Sequence, residues 1–410
     1  MTQLLFIKKL MTKDFHLLLV SRVLSAALGL LTSLYLAKQL GVGSWGNVSL
    51  VIAILTYVAL VAELSLFSTV AKVLVKGSEN DLAAMKGVSV MILFSVSILV
   101  VALCLAMAYF SEFIFNHEVH ILLLSVYAYS WVYLLPLYVE QTCKALGEIW
   151  RLSIWTILTK LLLMILVIAL PPGSSDRELM VLYSYLVSIA APSLFVIVFR
   201  KISFKQLGNT LRRFRLEHQA LGRQLFLGKQ LNLLSYNSDR MLLGFFCSSE
   251  MVGYYSLAMT MSSGISMFAS TLAVSQFKSF GNNKTICSRT FTTYLMGTTA
   301  VMLASLLVFS MVVFFYLGHQ YRYVIFILLP ASLALMMQGL YQPYNSWLLA
   351  NGKGAKLRAF LLRNAGINMI SNLVLIPLFC GIGAAIASIV GNSFYYRSAK
   401  RTYLQETRMV

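Results

Sequence analysis

Runs of about twenty apolar residues, parted by short polar connectors, recur along the whole chain. A run of that length crosses hydrocarbon as an α-helix, because a helix satisfies every backbone N–H and C=O within itself. Twelve such runs are expected. Six fall in the first half, at about 15–37, 47–70, 88–110, 119–143, 152–171 and 179–199. Six fall in the second, at about 224–247, 254–276, 291–316, 323–349, 357–379 and 381–396. Hydrophobic residues make up 59% of the chain and charged residues 11%, against roughly 25% charged in an average soluble domain. The fold class is an all-α membrane protein of about twelve transmembrane helices.

The formal net charge of +19 invites a nucleic-acid reading, and its distribution argues against one. With both termini placed in the cytosol, only Lys38, Arg177 and Arg322 fall in external connectors. Arg22, Lys160, Lys229, Arg240 and Arg363 lie deep inside the runs, and the other Lys and Arg lie on the cytosolic side. Such a bias sets orientation in the membrane, and some of the basic surface meets anionic lipid headgroups. Lys8, Lys9 and Lys13 precede a first run too long for a signal peptide, which reads as an uncleaved helix.

The largest polar segment, about 200–223, carries Arg200, Lys201, Lys205, Arg212, Arg213, Arg215 and Arg223. It divides the chain into an N-terminal six-helix bundle (1–200), a basic cytosolic linker (201–223) and a C-terminal six-helix bundle (224–410). Within it "LRRFRLEHQALGRQLF" reads either as an amphipathic helix on the membrane surface or as a plain basic connector. The halves look duplicated. Arg22, Ser25, Gly29, Thr32 and Ser33 form one stripe; Lys229, Asn232, Tyr236, Asp239 and Arg240 form another with the same spacing, one face of a helix in each case. The offset between the stripes also carries Gly46 onto Gly253. An even number of helices per half makes these parallel repeats.

Charge inside hydrocarbon costs roughly 2.5–3.5 kcal/mol for a central Arg or Lys on insertion scales. Arg22, Lys160, Lys229, Arg363 and Glu63 all fall on the cytosolic side of their runs, roughly 7–12 Å in from that end at the helical rise. If the four cations face one cavity, they make a ring suited to phosphate or pyrophosphate, with Arg offering forked donors and Lys a point charge. The plainer reading is that Lys229 and Arg363 snorkel to the interface. Glu63 lies at the depth of Arg22 and is a candidate partner for it. Asp239 and Arg240 sit deeper and read as a gate, an ion or proton site, or a structural contact between helices.

Neutral polar stripes accompany the charges: Asn364, Asn368, Ser371 and Asn372 in one run, Gln338, Gln342 and Asn345 in another. They suit sugar hydroxyls, and equally suit helix-to-helix bonding. Most of the tyrosines are expected in interfacial belts. The glycines of "GIGAA" (381–385) read as packing or turn residues. Five cysteines show no CxxC or Cys/His pattern, so neither disulfide nor metal site is expected. No Walker A loop or nucleotide fingerprint occurs, and no paired carboxylates for glycosidic chemistry stand out in the short external connectors.

Three stretches carry a family likeness. "YLAKQLGVGSWGNVSLVIAILTYVALVAELSL" (35–66) resembles the first hairpin of bacterial polysaccharide transporters. "SDRMLLGFFCSSEMVGYYSLA" (238–258) resembles their helix 7 to 8 signature, and "NLVLIPLFCGIGAAIASIV" (372–390) their closing Ile-Pro and Gly-Ala-Ala motif. Leu64-Ser65 stands where the family's "LG" is usual. The chain is similar to Wzx-type O-antigen flippases of the MOP (multidrug/oligosaccharidyl-lipid/polysaccharide) exporter superfamily. That resemblance implies a MATE-like, V-shaped, alternating-access transporter in the bacterial inner membrane, and no enzyme. It implies a flippase moving undecaprenyl-pyrophosphate-linked oligosaccharide, an O-antigen or related repeat unit for lipopolysaccharide, from the cytosolic to the periplasmic leaflet. It further implies no cofactor, a proton or sodium gradient as energy source, and membrane lipids, a polysaccharide polymerase and a chain-length regulator as partners.

On this reading Arg22, Lys160, Lys229, Arg363, Asn232 and Asn368 bind substrate, while Glu63, Asp239 and Arg240 couple an ion or proton or act as a gate. Two rivals stay open. One is a MATE-like ion-coupled exporter of small molecules, which calls for an acid-dominated cavity. The other is a membrane O-antigen polymerase or ligase, which calls for a large external loop.

Overall fold

The computed structural model describes residues 2–76, 79–171, 176–200, 202–204, 207–225, 231–275, 280, 286 and 288–408. Among these no strand occurs. The helices are α1 (Thr2–Leu40), α2 (Val42–Glu63), α3 (Leu66–Lys76) and α4 (Glu79–Ile114). Next, α5 (His117–Val126) passes through a tighter 3-10 stretch into α6 (Leu135–Ala145), and α7 (Ile149–Ile168), α8 (Arg177–Val198) and α9 (Leu207–Leu225) follow. The second half holds α10 (Leu231–Phe246), α11 (Ser249–Ser275), α12 (Ser288–Met311) and α13 (Tyr323–Ala350). A final run, Gly354–Arg408, is broken at Cys380 into α14 (354–379) and α15 (381–408).

Among the described residues nine helices are long and apolar enough to cross a membrane. Twelve crossings are reached only by also counting α10 and α11 and treating α14 and α15 separately. The second expected run, 47–70, is in fact divided. α2 ends at Glu63, Leu64 and Ser65 take φ of 44° and 61°, and α3 starts afresh. Left-handed backbone costs a side chain roughly 1–2 kcal/mol per residue. Both residues stand where the family pattern has "LG". The end of the chain also differs from expectation, since the helix continues past 396 to Arg408.

By internal contacts the chain forms two units. The first is Met1–Thr32 with Ile54–Phe226, and the second is Ser33–Ala53 with Leu227–Val410. In the first, α9 is a helix lying on α3 and α4. Phe214 is buried, His218 Nδ1 is 3.1 Å from Thr69 Oγ1, and Lys72 pairs with Glu217 at 3.3 Å. Arg212, Arg213, Arg215, Leu211 and Leu216 are exposed on its outer side. The connector before it is seated by Ser203, whose N–H donates to Ala83 O. Gly87 is required there, because a Cβ would lie 2.2 Å from the Ser203 carbonyl oxygen.

In the second unit the two repeat-equivalent glycines pack on each other. A Cβ on Gly253 would meet Gly46 Cα at 3.2 Å, and one on Gly46 would strike Ser249 O at 1.8 Å. The residues sharing the repeat therefore share a close helix crossing. Many of this unit's tyrosines form core rather than belt. Tyr341, Tyr344, Tyr395 and Tyr403 are buried together with Trp347 and Phe360. Tyr403 comes from the α15 extension, which Glu406 ties to Lys353 at 2.7 Å and Lys356 at 2.6 Å. These ammonium groups hold the Glu406 carboxyl below its ordinary range.

One expectation is overturned. Cys247 and Cys380 are disulfide-bonded, although no pattern in the sequence pointed to a bond. Their separation of 133 residues hides the pairing; only the packing of α10 on α14 and α15 brings them together. Cys104 and Cys143 are free and buried, and Cys287 lies outside the described residues.

Candidate functional site

A buried carboxylate organises the interior of the second unit. Asp239 on α10 is 1% exposed. Tyr255 on α11 donates its hydroxyl to Asp239 Oδ2 at 2.8 Å, and Asn372 on α14 donates its amide to Oδ1. The same Asn372 Nδ2 lies 3.1 Å from Asn368 Oδ1, one turn earlier. Ser388 on α15 is placed beside Asp239 and Tyr255. Four helices thus converge on one acid, and every one of these side chains is buried.

The glycines explain how the helices come so close. A Cβ on Gly383 would lie 2.1 Å from Leu375 O, and one on Gly391 would lie 2.9 Å from Asn364 Oδ1 and 3.3 Å from Asn368 Cβ. Only glycine lets α15 lie this tightly on α14. Pro377 lacks the N–H that would continue the α14 ladder, three residues before the chain turns back at Cys380 (φ 45°).

One oxygen at this centre, Asn372 Oδ1, makes no hydrogen bond. Buried polar atoms are nearly always paired, so orphans call for an explanation. The Asn372 amide oxygen and the Asp239 carboxylate are oxygen donors, the type that hard cations prefer. Among the described residues no group of three or more His, Cys, Asp or Glu suits a metal ion.

The other expected residues are distributed as follows. In the first unit, the stem of Lys160 on α7 crosses the α1 stripe: its Cδ and Cε stand 3.8 Å from where a Gly29 Cβ would be. Arg22, two turns before Gly29 on α1, is exposed. Ser25 and Thr32 of the stripe are buried and donate to carbonyls of their own helix, Arg22 O and Leu28 O. In the second unit Arg363 is exposed on α14, and Arg240 is half-buried beside Asp239. Lys229 lies outside the described residues, as does the side chain of Asn232. Asn368 is buried within the Asp239 network.

Glu63 is buried, and both its oxygens accept backbone N–H groups, from Ser65 and Phe67, each at 2.8 Å. It caps α3 across the left-handed turn. Sequence reasoning also passed over Arg200, counted there only as part of the polar segment at about 200–223. Arg200 is buried and binds Glu148 Oε2 at 2.7 Å and Thr142 Oγ1 at 2.7 Å, clamping the ends of α6, α7 and α8. Its burial had no sequence signal, because it opens a run of basic residues. Tyr255 and Ser388 were missed for a related reason: each lies in an apolar run and gains its meaning only from Asp239.

The family model described as polysaccharide biosynthesis protein matches residues 11–277 of the chain. No curated protein matches. Among solved structures, a lipid II flippase, MurJ, in an inward closed conformation superposes with a TM-score of 0.75 at 14% identity, covering 96% of this chain and 89% of that one. An inward-facing multidrug resistance MATE transporter of the MOP superfamily gives 0.65 at 15% identity, covering 94% of each chain. An outward-facing multidrug resistance MATE transporter of the same superfamily gives 0.66 at 15% identity, covering 97% of this chain and 95% of that one.

Proposed function

The chain belongs to the polysaccharide biosynthesis protein family and has the fold of MOP transporters, and on that premise we propose that it flips undecaprenyl-pyrophosphate-linked oligosaccharide across the inner membrane. In this reading both termini are cytosolic, and the repeat unit belongs to O-antigen or a related polysaccharide. The headgroup enters from the cytosol. Arg22, Lys160, Lys229 and Arg363 meet its pyrophosphate, Asn232 and Asn368 serve its sugars, and the isoprenoid tail stays in lipid. Six-helix bundles 1–200 and 224–410, joined by the segment 201–223, then rock to open outward. A polysaccharide polymerase and a chain-length regulator take the product onward.

The observation that carries the reading is the pair Lys160 and α1. A lysine stem laid over Gly29 of a polar helix stripe, inside a run otherwise apolar, keeps a cation where lipid alone makes it costly. An anionic cargo offsets that cost. Asp239 is the coupling group of the same reading. The unpaired Asn372 Oδ1 beside it supports a cation cycle driven by a proton or sodium gradient, with Arg240 next to it as counter-charge. Glu63 holds the α2–α3 turn, from which it can gate movement of α3.

Reconstituted vesicles with a fluorescent isoprenyl-pyrophosphate-linked oligosaccharide test the proposal. Arg22→Ala and Lys160→Ala are expected to abolish flipping at normal membrane levels. Full activity in both removes the cationic site. The rival is an ion-coupled exporter of small cations, for which the buried Asp239 would be the binding acid. A deletion strain decides: accumulation of a lipid-linked glycan on the cytosolic side supports the flippase, and drug hypersensitivity without accumulation supports the exporter.

A further inference from the structure

Two features of the second unit occupy the same pair of helices at the same spacing. Cys247 follows the last residue of α10, Cys380 follows the last of α14, and they are bonded with Cα atoms 6.0 Å apart. Asp239 and Asn372, joined by the amide-to-carboxylate hydrogen bond, precede these cysteines by eight residues each (247 − 239 and 380 − 372). That interval is about two helical turns, ~12 Å along each axis. A covalent tie and a buried polar contact at equal offsets on two helices fix their axial register. A slip of one residue moves a helix ~1.5 Å, enough to take the Asn372 amide out of hydrogen-bonding reach of Asp239. Cys380 also adopts φ 45°, ψ −124°, a backbone region that favours glycine. A side chain is kept at this strained position, and what it adds is the bond to Cys247.

We propose that the Cys247–Cys380 disulfide is the positioning element of the Asp239 cation site. It sets the register of α10 against α14 in which Asn372 meets the carboxylate, and breaking it weakens cation binding there. The proposal rests on the reading of Asp239 as the coupling group. With cytosolic termini α10 and α14 both run outward, so both cysteines reach the external face, where disulfides persist. Cys143, at the cytosolic end of α6 in that orientation, is a free thiol. Forming the bond is a two-electron oxidation. The two thiols give two protons and two electrons to an external protein disulfide, whose S–S bond breaks to a dithiol as the new one forms.

The test uses the purified full-length chain. Non-reducing peptide mass spectrometry after alkylation establishes the linkage. Thermal unfolding is then followed against sodium chloride, with choline chloride holding ionic strength constant. The oxidised protein is expected to be stabilised by sodium with a defined midpoint, and Asp239→Asn to show no response. Phosphine reduction, Cys247→Ser and Cys380→Gly are each expected to raise the midpoint roughly tenfold or more, the scale on which supporting contacts tune cation affinity. Cys380→Gly matters because it relieves the backbone while removing the bond. A lower melting temperature with an unmoved midpoint, free thiols at both positions in the native protein, or no sodium response in the oxidised form each overturns the proposal. A sodium response that persists in Asp239→Asn overturns the carboxylate reading itself, and this inference with it.

Discussion

The carboxylates of Glu63 and Asp239 are both closed off inside apolar helices, and their partners differ in kind. Glu63 is satisfied by backbone of its own turn; Asp239 accepts from side chains of other helices. Ser65→Gly is expected to stabilise the protein by about 1 kcal/mol, because glycine adopts the left-handed conformation without strain. Chemical denaturation in mild detergent reads it, and a loss of stability would show that the serine side chain matters more than its backbone. Arg200→Ala removes the donor to Thr142 and to Glu148 Oε2, while Arg151 still holds Glu148 Oε1 at 2.9 Å, and is expected to cost about 2 kcal/mol, the scale of hydrogen bonds to a charged group. A change under 1 kcal/mol in the same assay refutes the clamp. Asp239 was legible as a charge out of place in a hydrophobic run. Its partners were not, since Asn372 lies 133 residues away and Tyr255 is an ordinary residue of α11 until it donates to the acid.

Among the elements, α9 was left open between surface helix and plain connector, and it forms a helix seated on α3 and α4. Burial pushes the His218 imidazole below its ordinary value of 6.5, so docking favours the neutral ring. The contribution is complete above that value and is lost as the pH falls below it and through the depressed pKa. Protease cleavage within 207–225 is therefore expected to rise from pH 7.5 to about pH 5, with a flatter profile in His218→Gln. Equal slopes in both proteins would assign the change to other groups. Helix α15 shows the same dependence on contact. Gly383 was read as a packing residue, and the 2.1 Å clash a Cβ would make with Leu375 O gives the reason. Gly383→Ala is expected to displace α15 and Ser388 with it, weakening the sodium response while the chain still inserts. The length of α15 was not readable from hydropathy. Its last turns are polar, and they are held by Tyr403 in the aromatic core and by Glu406 between two lysines.

At the scale of the molecule, an anionic cargo predicts that charge rather than size matters at the cationic positions. Lys160→Arg is expected to retain most flipping and Lys160→Met to lose at least 90%, a loss of ~1.4 kcal/mol or more in transition-state stabilisation. Similar activity in the two would detach Lys160 from the cargo.

Apolar length and the asymmetry of basic residues were enough to read a multi-pass helical protein and to propose its orientation, because insertion into lipid depends on local composition that any window of sequence exposes. Three short motifs were enough for the family, which the match over residues 11–277 establishes. The division of residues 33–53 from 54–226, the broken second helix, the Cys247–Cys380 bond and the four-helix meeting at Asp239 belong to tertiary structure alone. Each depends on which helix faces lie against one another. In a membrane protein nearly every face is apolar, so hydrophobic periodicity, the signal that would point each helix inward in water, carries little direction here.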